Sequence, residues 1–375
     1  MSSTKEITTS SYKTGIKLWQ ANDGAFEGWT LNGTELGEDG VIRLDPENAQ
    51  HEATGNKQAS VGEATGPITQ TAFAFTEAIV SWNAETPEGT WIEAQLRACS
   101  GGEWTRWYSM GVWTSARGEA GATRRSVDGQ KDDAGRVSTD TLLLSKPAEA
   151  AQVRVKLFGV EGAIPSVRNM ALAVSTTPTR PEKLAPGDAS LWDHTLDVPQ
   201  HSQMVYPDGG NVWCSPTAVS MVLAFWGKGE GTCEDRVRHA VAGVYDAQYE
   251  GHGNWPFNAA YAAAQGMEAY AVRFSTLADT EKWIAAGVPV VLSYAWKDGE
   301  LSGAPVAHSD GHLGVLCGFS KQGDPVVNDP AAASNDAVRR LYKRAEFETL
   351  WLKHSGGAAY LIYPPGWATP DLPLL

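Results

Sequence analysis

Gln203-Met-Val-Tyr-Pro-Asp-Gly-Gly-Asn-Val-Trp213-Cys214-Ser215-Pro216-Thr217-Ala-Val-Ser-Met-Val-Leu-Ala-Phe-Trp226 is the stretch that decides how this chain is read. A Gly- and Asn-rich turn runs into Trp213-Cys214, and Ser215-Pro216-Thr217 opens an apolar run, which is a helix-start signal. A cysteine there sits beside backbone N–H groups without intrahelical partners and at the positive end of the helix dipole. Both favour a thiolate, the form in which cysteine is a nucleophile. The commoner state of a lone cysteine is an inert buried thiol. The stretch by itself leaves both readings open.

Length and composition bound the rest. A chain of 375 residues exceeds one typical core, so two domains are expected. With 42% hydrophobic and 20% charged residues and no apolar run long enough to cross a bilayer, it reads as a soluble globular protein. No apolar segment follows Lys5, so no secretory signal is visible. That fits a cytoplasmic chain or a secreted one with its signal removed. A net charge of −14 argues against nucleic acid as the main partner. Cys99, Cys214, Cys233 and Cys317 form no C-x-x-C pair and no zinc pattern with histidine, so neither a disulfide scaffold nor a metal site is implied.

Residues 1–175 read as β structure. Ile92, Ala94 and Leu96 alternate with Glu93, Gln95 and Arg97, the period of a half-buried strand. The turn residues 85–89 predict a hairpin joining strands Phe75–Asn83 and Thr90–Arg97. Trp104–Trp113 follows as an aromatic-rich strand, Ser115–Ser138 as a long surface loop, then strands around Val153–Leu157 and Met170–Val174. Short strands with regular turns and no helical period predict an all-β sandwich. The pattern resembles the jelly-roll accessory domains of bacterial hydrolases. Trp82, Trp91, Trp104, Trp107 and Trp113 offer a face for a carbohydrate or surface polymer, although packing in the sandwich core is the favoured reading.

Three prolines among residues 175–186 mark a semi-rigid linker, placed at 176–190, and a second domain at 191–375. After the helix from Cys214 come helices at about Glu234–Ala242, Asn254–Ala264 and Leu277–Ala286. Strands follow at Ala269–Phe274 and Pro289–Ala295. His239 reads as a solvated helix residue. His312 heads an apolar strand, Gly323-Asp324 turns the chain, and 325–330 is a second strand ending on Asp329. The hairpin makes His312 and Asp329 neighbours at its open end, where a carboxylate can orient an imidazole.

Gln203, Trp213-Cys214-Ser215-Pro216-Thr217-Ala218, Gly287-Val288-Pro289-Val290, His312 through Phe319, and Asn328-Asp329-Pro330 together resemble the papain-like peptidases of the bacteriocin-processing (double-glycine) family. The stand-alone relatives without transporter parts are the nearest in pattern, and the resemblance covers about residues 195–365. It implies an α+β papain-like domain with Cys214 as nucleophile, His312 as general base and acid, Asp329 orienting His312, and Gln203 donating to the oxyanion. Ser215 departs from the glycine frequent in relatives. Gln200 is an alternative donor, and His308 competes with His312 but precedes a turn, Ser309-Asp310-Gly311.

The resulting expectation is a peptidase-like hydrolase that cuts an amide bond of a peptide or protein through a thioester on Cys214. Transfer of the acyl group to another amine is a variant of the same chemistry. The alternative from another class is a non-catalytic binding protein that keeps a papain-like shell and attaches through its β-domain. Trp213, Trp255, Tyr294 and Trp296 are candidate groove walls favouring an apolar or small side chain at the cut. No cofactor is implied.

Overall fold

Ile92, Ala94, Leu96 and Ala98 are fully buried and Glu93, Gln95 and Arg97 between them half-buried, so the alternation expected from sequence is the inward–outward pleat of a strand. The computed structural model describes residues 12–54, 57–115, 123–178 and 184–375. The longer strands of the first half are β1 (Thr14–Gln20), β2 (Lys57–Thr65), β3 (Thr69–Glu85), β4 (Thr90–Ser100), β5 (Tyr108–Trp113), β6 (Gly135–Ser138), β7 (Thr141–Val160) and β8 (Ser166–Ser175). They build an antiparallel β-sandwich in the order β5-β4-β7-β3-β8, with β1 on β8.

The expected hairpin of β3 and β4 does not form. The turn exists, with Gly89 left-handed and Thr90 N–H donating to the Pro87 carbonyl at 3.0 Å. The twenty-residue β7 lies between the two strands, pairing with β3 through Thr141–Ala151 and with β4 through Ala150–Gly159. A strand that long can bend from one layer of a sandwich to the other, and it takes the ladder positions a hairpin would have used. The strand expected at Trp104–Trp113 is interrupted, Glu103–Trp104 being separate from β5.

The region 115–138 is more than a surface loop. Residues 116–122 lie outside the described residues, but Arg124, Ser126 and Gln130 are buried. The tryptophans divide. Trp82, Trp91 and Trp113 are core, whereas Trp104 and Trp107 are half-buried with the Arg97 guanidinium 4.6 and 4.7 Å from their ring centres.

The second half is α+β: α1 (Cys214–Phe225), α2 (Cys233–Val244), α3 (Trp255–Ala264), β9 (Glu268–Arg273), α4 (Ala278–Ala285), β10 (Val290–Trp296), β11 (Ser309–Phe319), β12 (Pro325–Asn328), β13 (Arg339–Leu341), α5 (Arg344–Ser355) and β14 (Ala358–Tyr363). Its antiparallel sheet runs β9-β14-β10-β11-β12-β13. Asn254 caps α3 through Phe257 N–H, with Pro256 in the first turn, as helix-start chemistry requires. His239 is exposed as expected, yet its Nδ1 bonds the Tyr261 hydroxyl at 2.7 Å.

The two halves share one core. Strand β9 is an edge strand with a row of unpaired backbone groups on one side, and the sandwich covers them. Asn83 grips Ala269 through both its N–H and its carbonyl, and Ala271 N–H donates to Ser81 Oγ. Phe257 of α3 packs between Trp82 and Trp113. Arg273 at the end of β9 pairs with Glu77, and Ile16 bridges to Leu374, so the middle and the far end of the second half both return to the first. Of the residues expected to form a linker, 179–183 lie outside the described set. Pro178 lies against Gly356, and Asp188 N–H donates to Glu281.

His201 is buried behind α1, its Nδ1 3.1 Å from Ser220 Oγ. Burial, with Arg236 nearby, holds its pKa down to about 4. The unfolded chain therefore binds this proton first as pH falls. The stability His201 confers as a neutral ring is complete above the ordinary histidine value of about 6.5 and is lost between there and about 4, an effect of at most roughly 3 kcal/mol. Urea unfolding of the wild type and His201→Gln at about pH 7 and about pH 4.5 is expected to show a smaller acid loss in the variant. Equal losses would contradict this assignment.

Candidate active site

Two short 3-10 turns, Gln203–Val205 and Gly210–Val212, lead into α1 and fix its first residue. Ser202 Oγ accepts from Met204 N–H at 3.1 Å and donates to the Ala332 carbonyl, and Gln203 N–H donates to the Pro330 carbonyl at 2.9 Å. The turn before α1 is thereby tied to the loop after Asp329. A Cβ on Gly210 would lie 1.9 Å from the Gln203 carbonyl oxygen, so only glycine lets the chain fold back this closely. The Gly210 carbonyl then accepts Gln203 Nε2–H at 2.7 Å. That bond sets which end of the amide carries nitrogen. Cys214 follows as the first residue of α1 and is half-buried. Ser215 points away from the cysteine, Oγ to the Tyr360 hydroxyl at 3.0 Å.

His312 stands on β11 opposite Tyr294 of β10. Its Nε2 is 2.7 Å from Asp329 Oδ1, and it shares its cleft with Cys214, which adds to the electrostatics of the ring. Asp329 is not its direct register partner. Asn328 pairs with Val315, so the next step brings Asp329 level with Gly314, and the carboxylate reaches His312 along the same-face diagonal. Asp329 is fully buried and fully met by donors: His312 and Ala331 N–H (2.9 Å) on Oδ1, Tyr294 (2.9 Å) and Tyr342 (2.6 Å) hydroxyls on Oδ2. Burial alone would raise its pKa, but the imidazolium and these donors outweigh it and hold it below the ordinary value. For His312 the burial penalty on the charged ring is overridden by Asp329, with Cys214 adding to it, and its pKa is raised.

Gly314 makes this reach possible. A Cβ there would lie 2.8 Å from the Tyr294 hydroxyl, in the space through which the phenol passes to Asp329. Tyr294 and Trp296, expected as groove walls, are instead buried beneath the imidazole, each presenting itself edge-to-face to it at 5.3 Å.

Cys214, His312 and Gln203 open into one cleft of about 870 Å³. Trp255 lines it. Trp213 does not: its ring is buried against Tyr206 and below Arg238. His308 lines the cleft but is exposed, and Ser309–Gly311 continues β11 instead of turning, Ser309 pairing with Trp296 across a bulge. The Gln200 side chain is engaged by Arg339 N–H at 3.1 Å. The remaining cysteines are free thiols. Cys317 is buried, which pushes its pKa up to about 12. Sequence reading missed Tyr342, which arrives just after β13 with no local signal. It also missed the part of the cleft contributed by the first half: Glu77, Ser138, Thr139, Asp140, Thr141 and Leu143. No cluster of metal-ligating side chains occurs among the described residues.

Fold and cleft define a papain-like α+β domain behind a β-sandwich. Residues 195–359 match the family model described as Peptidase_C39 like family, and residues 16–175 match the Peptidase C39 N-terminal domain. The chain belongs to the C39-like peptidase family. No curated protein sequence matches it. Among solved structures it is similar to a chain from Bacillus anthracis described as a C39-like peptidase, at 18% identity and a TM-score of 0.33, over 45% of this chain and 98% of that one. TmCBM61, solved with β-1,4-galactotriose, aligns at 10% identity and a TM-score of 0.20, over 44% of this chain and 88% of its own. The family 32 carbohydrate-binding module of NanJ from C. perfringens, solved with galactose, aligns at 14% identity and a TM-score of 0.18, over 42% and 99%. No helix among the described residues is long and apolar enough to cross a membrane.

Gly314→Ala should displace the Tyr294 hydroxyl from Asp329 and cost about 1–3 kcal/mol, the penalty for under-satisfying a buried acceptor. Tyr294→Phe should cost about the same, and the double variant should cost less than the sum, because both changes remove one bond. Urea unfolding of the four proteins checks this. Fully additive losses would place the effect of Gly314 elsewhere.

Proposed function

We propose that the protein is a cysteine peptidase that cleaves an amide bond of a peptide or protein through a thioester on Cys214. The observation that carries this reading is the single cleft lined by both a helix-start cysteine and a histidine that is itself bonded to a buried carboxylate. His312 takes the thiol proton at the ring nitrogen not held by Asp329, and the sulfur attacks the substrate carbonyl carbon. The oxyanion that forms is met by Cys214 N–H, free as the first amide of α1, and by the second Nε2–H of Gln203. Such a donor contributes about 3 kcal/mol. His312 then gives its proton to the departing amine and the thioester remains on Cys214. Water attacks its carbonyl carbon with His312 again as base, the C–S bond breaks, and the acid leaves as Cys214 regains its sulfur electron pair beside the protonated His312.

Asp329 stays ionised and fixes the ring, since its other lone pairs are occupied by Ala331, Tyr294 and Tyr342. The exposed apolar side chains Met204 and Val212, with Tyr249 and the half-buried Trp255, line the same cleft and suit an apolar side chain near the cut.

Alkylation by iodoacetamide, located by mass spectrometry, tests the pair first. Cys214 is expected to react rapidly at about pH 6, well below the model thiol value of about 8.5, and to slow at least tenfold in His312→Ala. Labelling no faster than at Cys233 and indifferent to His312 would contradict the proposal. In a peptide-library digest Cys214→Ala should abolish cleavage, and Gln203→Ala should lower kcat by about 100-fold with little change in KM.

A further inference from the structure

Thr139 and Glu250 are two of the four non-glycine residues with left-handed φ among the described residues, and both line the cleft. For a β-branched residue this conformation is costly and persists only where the surroundings hold it. Thr139 belongs to the turn between β6 and β7 of the sandwich, Glu250 to the loop before α3. They are fixed by contacts between the halves. Trp255 N–H donates to Asp140 Oδ2 at 2.8 Å, and Thr141 Oγ1 donates to Oδ1 of the same carboxylate at 3.0 Å. Ser126 N–H donates to Asp246 Oδ1 at 2.9 Å, Ala247 N–H to the Arg124 carbonyl at 3.1 Å, and Gln248 Nε2 to Asp128 Oδ2 at 2.8 Å. The sandwich thus supplies one wall of the cleft and braces the loop that carries Tyr249 and Glu250.

Away from His312, the exposed charges of the cleft are the carboxylates of Glu250 and Asp310: Asp140 is buried with both oxygens bonded, no lysine lines the cleft, and Arg273 is paired with Glu77. We propose that the turn Ser138–Thr141 of the N-terminal sandwich is a wall of the substrate cleft, and that Glu250 and Asp310 in the same cleft make it take a peptide with a cationic side chain and discriminate against an anionic one. This rests on the reading of Cys214 as nucleophile. It makes the sandwich part of the substrate site in addition to any attachment role.

Three alkylating probes separate the two claims: iodoacetamide, and two tripeptidyl chloromethyl ketones identical except for Lys or Glu next to the ketone. Each forms a carbon–sulfur bond to Cys214 with loss of halide. At low salt the Lys ketone is expected to inactivate the wild type at least about fivefold faster than the Glu ketone. Glu250→Gln with Asp310→Asn should bring that ratio within about twofold. Thr139→Trp should slow both ketones by about tenfold or more by filling the wall, while iodoacetamide, too small to reach it, keeps its rate. Thr139→Gly suits the left-handed backbone and should melt no lower than the wild type while altering the ketone rates, which separates loss of the wall from loss of the fold. Ketone rates unchanged in Thr139→Trp, or a Lys-to-Glu ratio indifferent to the two acid substitutions, would overturn the proposal. Failure of iodoacetamide to react at Cys214 in the wild type would instead remove the nucleophile assignment, and this inference with it.

Discussion

A carboxylate removed completely from water costs several kcal/mol unless each oxygen finds donors, and the arrangement around Asp329 follows from that requirement. Four donors converge on it from four parts of the second half: His312 on β11, Tyr294 on β10, Tyr342 after β13, and the Ala331 amide in the loop that follows β12. Each of these elements must be in register for the carboxylate to be satisfied, so the sheet order and the placement of His312 are coupled. Gly314 is the small-residue condition that lets the Tyr294 phenol through. The same loop receives Gln203 N–H and Ser202 Oγ, so Pro330 and Ala332, just past Asp329, position the turn leading into Cys214. One buried charge thereby organises residues more than a hundred positions apart.

The sandwich adds a second constraint. An uncovered edge strand is a liability, and β9 is covered by side chains of β3 instead of by another strand. Packing the halves face to face, with Phe257 between two tryptophans, brings the β6–β7 turn to the cleft. Architecture and substrate access are linked here: the contacts that join the halves also set the shape of the groove.

Much of this was legible in the sequence, for physical reasons that can be named. The Ser215-Pro216-Thr217 start and the apolar run after it gave α1, and period-2 alternation gave β4 and β7. The strand–turn–strand of 312–329 brought His312 and Asp329 close, although the contact is diagonal and not direct. What escaped were long-range facts. Nothing local told that β7 would part β3 from β4, that Tyr342 would end on Asp329, or that Tyr294 and Trp296 would lie beneath the imidazole. Trp213 was misread for a related reason: an aromatic beside a reactive cysteine suggests a wall, but at this helix start the ring turns into the core against Tyr206. The place of the sandwich turn Ser138–Thr141 in the cleft was invisible because it depends on packing between two halves.

Catalysis at this site turns on the protonation state of His312. Nitrogen-15 NMR of the imidazole, followed through a pH titration, measures it most directly. With Asp329 ionised and buried beside Nε2, the ring should remain protonated on both nitrogens through neutral pH and titrate well above the ordinary histidine value of about 6.5. A ring that loses its proton at or below that value would mean that burial wins over Asp329. The pairing on which the site depends would then not exist in solution.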